Sequence, residues 1–166
     1  MPAVPLSVDE ILAILPLTVP RLTELSDGLT SDHLHRPPEP GSWSVNDVLA
    51  HLRACNDVLG GAALRIIDED RPAWRAMSPR TWQRRSGYHD WSFPEAFAAF
   101  RQQRAELLDV LLPLPEDVWL RTATVTVPPK SVYERTVQYY GDWLASHERA
   151  HLRGLPAIIA RARGGG

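Results

Sequence analysis

Tyr139-Tyr140-Gly141-Asp142-Trp143-Leu144-Ala145-Ser146-His147-Glu148-Arg149-Ala150-His151 forms the middle of the last long apolar segment, which runs from about residue 131 to residue 162. Apolar residues recur through it at spacings of three and four, which predicts an amphipathic helix. At about 100° per residue, His147 and His151 fall on one arc with Tyr133, Tyr140, Trp143, Leu144, Leu155 and Ile158. The two imidazoles therefore point inward, close enough to grip one metal ion. A buried imidazole needs partners for both ring nitrogens. A metal on one and a hydrogen bond on the other would satisfy it.

Working backwards, Pro128-Pro129 reads as a stop, and residues 113 to 130 as an extended connection. Within it, Thr122-Ala123-Thr124-Val125-Thr126-Val127 alternates like a strand but lacks an evident partner. A third helix is expected over 92–112, opened by Ser92-Phe93-Pro94-Glu95 and carrying Phe97, Phe100, Leu107 and Leu111. A second spans 44–68, from Ser44 with Asp47 in a capping box through Val48, Leu49, Leu52, Leu59 and Ile66. His51 sits at the edge of its apolar stripe. The first helix covers 7–28, capped by Ser7 and Glu10 and kinked or split at Pro16 and Pro20. Residues 30 to 43 read as a loop and Gly164-Gly165-Gly166 as a frayed end.

Four amphipathic helices with one long connection between the second and third predict an all-α four-helix bundle, residues 1–166 forming one domain. The long connection, 71–91, gathers Trp74, Trp82 and Trp91 with Arg71, Arg75, Arg80, Arg84 and Arg85. It suits either a pocket lid or a plug for the end of the core.

A net charge of -2 leaves no electrostatic footprint for nucleic acid. No apolar run approaches the length of a membrane span and no secretory signal opens the chain, so a cytoplasmic protein is expected. The single cysteine, Cys55, excludes a multi-cysteine zinc site and reads as a small core residue. Any metal must be held by His and carboxylate, with zinc or nickel favoured over iron by imidazole ligation.

His147-Glu148-x-x-His151 is also literally a zincin motif, with Gly154 fitting the longer metzincin form. Its third ligand would fall on Ala157, and no His, Asp, Glu or Cys follows His151. A protease would further need an edge strand for its peptide. The reading is disfavoured, and Glu148, some 100° from the histidines, is expected at the surface.

Pro40-Gly41-Ser42-Trp43-Ser44-Val45-x-x-Val48-Leu49-x-His51-Leu52, followed about a hundred residues later by His147-x-x-x-His151, resembles the DinB/YfiT-like superfamily of four-helix-bundle metalloenzymes. The resemblance spans nearly the whole chain. It implies an up-down-down-up bundle, His51, His147 and His151 as a metal triad, and frequent homodimers. It also implies transfer or isomerisation of a small-molecule substrate with a low-molecular-weight thiol. The rival expectation is a non-catalytic bundle whose histidines are core residues binding a ligand or partner.

Overall fold

The computed structural model describes residues 4–164. Helix α1 (Val8–Ile14) starts from Ser7, whose hydroxyl accepts from the Glu10 amide while the Glu10 carboxylate accepts from the Ser7 amide. Pro16 cannot donate to the preceding turn, and the chain tightens to a 3-10 turn over Leu15–Leu17 before α2 (Thr18–Ser26). The expected split is present at Pro16 but not at Pro20, which lies in the first turn of α2, where a missing amide donor is tolerated. The expected loop over 30–43 instead contains α3 (Ser31–His35), because Thr30 and His33 form a capping box.

Helix α4 (Val45–Cys55) begins at the Ser44–Asp47 box and passes through a π turn over Asn56–Gly60 into α5 (Gly61–Asp68). Together they fill the predicted 44–68. Residues 71–91 are more structured than a loop: β1 (Ala73–Arg75), α6 (Pro79–Ser86) and a 3-10 turn at Tyr88–Asp90. Helix α6 has a Ser78 cap, Pro79 in its first turn and Gly87 at φ 68° as its left-handed terminator. Helix α7 (Phe93–Leu111) matches its expected bounds closely.

The all-α expectation is corrected beyond α7. After a 3-10 turn over Glu116–Leu120 come β2 (Thr122–Val127) and β3 (Ser131–Thr136), and only then α8 (Val137–Gly164). Pro128-Pro129-Lys130 turns the chain back rather than ending it, so Thr122 pairs with Thr136 and Val127 with Ser131 antiparallel. On the other edge of β2, β1 pairs parallel with Trp74 opposite Val125. The three-stranded order is β1-β2-β3. The lone strand thus has two partners, and residues 131–136, assigned to the last helix by periodicity, belong to the sheet. Of the glycine tail, Gly164 closes α8, whereas Gly165 and Gly166 lie outside the described residues.

Buried apolar side chains form two clusters. One joins Ile11, Leu15, Leu59, Ile66, Leu107, Trp119, Val125 and Tyr140; the other joins Leu22, Leu49, Leu52, Phe97, Phe100 and Leu155. Beside them a buried ionic network ties α7 to α8. Arg104 pairs with both carboxylate oxygens of Glu148 and donates to Asn56 Oδ1 at 2.9 Å and to the Leu15 carbonyl at 3.1 Å. Thr18 Oγ1 donates to Glu148 Oε2 at 2.7 Å. Glu148 is fully buried, not at the surface as expected. No helix among the described residues is long and apolar enough to cross a membrane.

Candidate metal centre

His51 on α4 and His147 and His151 on α8 come together. Their Nε2 atoms are the facing ones, 2.8 Å apart between His51 and His147 and 3.1 Å between His147 and His151. One nitrogen from each ring lies within 4.8 Å of the others. The spacing of four brings the α8 pair together, and packing of α4 against α8 supplies the third ring.

His51 is held from behind. Gln83 on α6 donates through Nε2 to the Asp47 carbonyl at 3.3 Å, which turns its Oε1 towards His51 Nδ1 at 3.0 Å. That acceptor places the ring proton on Nδ1 and leaves the Nε2 lone pair facing the other histidines. Trp43 closes one side, its ring 4.9 Å from that of His51 and 6.0 Å from that of His151, with the Arg80 guanidinium 5.1 Å over it.

The electrostatics favour neutral rings. Burial, helped by His147 and Arg80, pulls His51 down to about 4 against the pull of the Gln83 hydrogen bond. His151 falls to about 4, by burial first and then by the other two histidines and Arg80. Burial also lowers His147, opposed by the charge of Glu148. Neutral imidazoles with converging lone pairs are the protonation state a metal requires. Three nitrogens around a tetrahedral zinc at 2.0–2.1 Å would be about 3.3 Å apart, close to the separations found. The donor set fits a divalent transition metal, three protein nitrogens leaving the fourth tetrahedral position to another ligand. Cys55 Sγ lies 3.5 Å from His51 Nε2, but burial, aided by the Glu148 charge, pushes its thiol up to about 12. It is fully buried, the position expected of a small core residue.

Gln83 was not among the sequence candidates. The Ser78-Pro79 start and Gly87 stop were legible as a helix, and with Gln83 inside it the residue could have been found. The three tryptophans of 71–91 make different contacts. Trp82 donates to Asp57 in the π turn and Trp91 lies 4.4 Å from the Arg53 guanidinium on α4, whereas Trp74 lies beside Tyr140 and lines a cleft.

The fold and the geometry define a class: a mostly helical bundle that converges three histidines from two of its long helices. The sequence model of the DinB superfamily matches residues 17–155, a span holding all three, and the chain belongs to that superfamily. Among solved structures it is similar to YfiT from Bacillus subtilis, described as a probable metal-dependent hydrolase with an unusual four-helix bundle topology. The two share 18% identity at a TM-score of 0.74, over 97% of this chain and 92% of that one, a likeness of fold. Comparison with curated proteins finds no match.

Proposed function

We propose that this chain is a metal-dependent enzyme in which His51, His147 and His151 hold one divalent transition metal, zinc or nickel before iron, in front of a small-molecule substrate. The observation that carries the reading is the convergence of three Nε2 atoms, one of them fixed by Gln83. When bound, the metal would lower the pKa of a coordinating thiol or water and polarise the substrate. The chain supplies the rest. Gln83 holds the His51 proton on Nδ1, Trp43 shields the rings from solvent, and Arg80 adds positive charge beside them. Glu148 is not available as a general base because Arg104 and Thr18 engage both of its oxygens. That counts further against a zincin-type protease.

A low-molecular-weight thiol is our first choice of nucleophile, making the chain a transferase or isomerase, as the family resemblance implies. Hydrolysis, with water in that place, is the second reading, favoured by the description of YfiT. The same proposal takes residues 1–166 as one cytoplasmic domain of up-down-down-up order, acting as a homodimer. Elemental analysis of purified protein should find one transition metal per chain, and His147→Ala should lose it. Metal-loaded protein should then consume halogenated or maleylpyruvate-like acceptors only with a small thiol present. Thiol-independent ester cleavage would select the hydrolase. A metal-free wild type would return the chain to a non-catalytic ligand-binding or partner-binding bundle. Light scattering at micromolar concentration tests the dimer.

A further inference from the structure

The face of α8 that carries His151 and His147 continues at the same spacing of four into Trp143 and Tyr139. On the opposite helix Cys55, beside His51, is followed one turn on by Leu59. Between these two runs opens a cleft of about 770 Å³, roofed by the sheet and by α6 and within the size range of small-molecule sites. Helix α6 borders both places: Arg80 and Gln83 face the histidines, while Thr81 and Arg85 line the cleft.

The lining is aromatic and one-signed. Trp74, Tyr133, Tyr139, Tyr140 and Trp143 contribute rings, and Trp143 at 40% and Tyr133 at 42% exposure keep large apolar surface in solvent. Arg75, Arg85 and Arg135 are its charged residues, with no carboxylate among the lining, although the chain carries a net charge of -2. Among the described residues none of the three pairs with a carboxylate or donates to another side chain. Arg135 is held over the rings of Tyr133 and Tyr139, 4.3 and 4.2 Å from their centroids. A guanidinium fixed by its flat face keeps its edge donors for a planar bidentate anion.

We propose that this cleft binds a planar aromatic carboxylate, its ring among Trp74, Tyr139 and Trp143 and its carboxylate on Arg135, with the far end directed towards the histidine centre. Calling that ligand a substrate rests on the function proposed above; its binding does not require metal. One helical turn, about 6 Å, separates Trp143 from His147 along α8, so a bicyclic ligand spans the gap.

The test uses metal-free full-length protein titrated with 2-naphthoate, followed by tryptophan fluorescence and calorimetry. Saturable binding of one molecule per chain is expected. 2-Naphthamide, of the same shape without the charge, should bind about tenfold or more weakly, the scale of a lost charge-assisted hydrogen bond. Arg135→Gln should weaken naphthoate by a similar factor and leave naphthamide unchanged, and Trp143→Ala should weaken both. If circular dichroism finds Arg135→Gln unfolded, Arg135→Lys, which keeps the charge but not the planar fork, should weaken naphthoate more than naphthamide. Equal affinity for acid and amide, no saturation at millimolar naphthoate, or folded arginine variants with unchanged affinity would overturn the proposal. Metal uptake measured when zinc or nickel is returned to the same preparations keeps the two readings apart. Naphthoate binding without metal loading supports the cleft and removes the enzyme, whereas metal loading without naphthoate binding removes the cleft alone.

Discussion

The Gln83 side chain has one donor end and one acceptor end, and each has a single use, on the Asp47 carbonyl and on His51 Nδ1. Gln83→Leu keeps the volume and removes both. It should weaken metal binding by about 10–100-fold, the usual scale for losing the hydrogen bond behind a ligating histidine. Competition against a chromophoric chelator measures this, and unchanged affinity would mean that His51 orients itself. Glu148 teaches a different lesson about single residues. Its angular offset from His147 was readable, but offset from one buried arc does not imply solvent, because α8 packs on several sides and Arg104 of α7 waits on the second. With Arg104 2% exposed and Glu148 fully buried, Arg104→Met should cost about 3–5 kcal/mol by stranding the carboxylate. Urea denaturation would read the loss, and a double change with Glu148→Gln should recover part of it. His51 was similarly placed at an edge by its stripe, whereas every α4 residue except Asp47 is buried. Enclosure from several sides cannot be read from the periodicity of one helix.

At the level of elements, caps and prolines were the reliable signals. Ser7, Ser44 and the Pro16 interruption give α1, α2 and α4 nearly where expected, because each acts on backbone groups within one turn. The failure at 131–136 has the opposite origin. Tyr133 shares the helical arc of Tyr140 by spacing, yet strand pairing with β2 is decided by residues ten or so positions away. Helix α8 also shows how closely elements approach. A Cβ on Gly141 would stand 3.2 Å from both Ile11 Cγ2 and Trp119 Cζ3. Both neighbours are buried and cannot withdraw, since Ile11 is 0% and Trp119 1% exposed. Gly141→Ala should therefore destabilise, overpacking of about 1–3 kcal/mol outweighing the gain in helix propensity of about 1 kcal/mol. Gly154→Ala, on the same helix with nothing within 4 Å of its Cβ, should stabilise instead. Midpoints that move the same way in both variants would mean that propensity, not contact, governs α8.

For the molecule as a whole, the histidine centre is a long-range clasp. His51 and His147 are 96 residues apart in sequence, and their helices are held together by apolar packing and by Arg104 of α7, which joins Asn56 at the end of α4 to Glu148 on α8. The pair on α8 was legible because both members lie on one helix, but bringing His51 to them depends on how α4 packs, which the family resemblance supplied and local spacing could not. This separation has a thermodynamic consequence. An unfolded chain brings His51 to the α8 pair only at the entropic cost of closing a loop of 96 residues, so a metal that takes all three binds the native state far more tightly. At a free metal concentration one hundred times its dissociation constant, the added stability is about 2.7 kcal/mol. For a chain of this length that is a rise in melting temperature of about 5–10 °C. Zinc or nickel added to chelator-treated wild type should produce the rise, and a chelator should reverse it. His147→Ala should melt at one temperature with or without metal. An equal rise in that variant would assign the stabilisation to some other metal site and leave the three histidines as packed core residues.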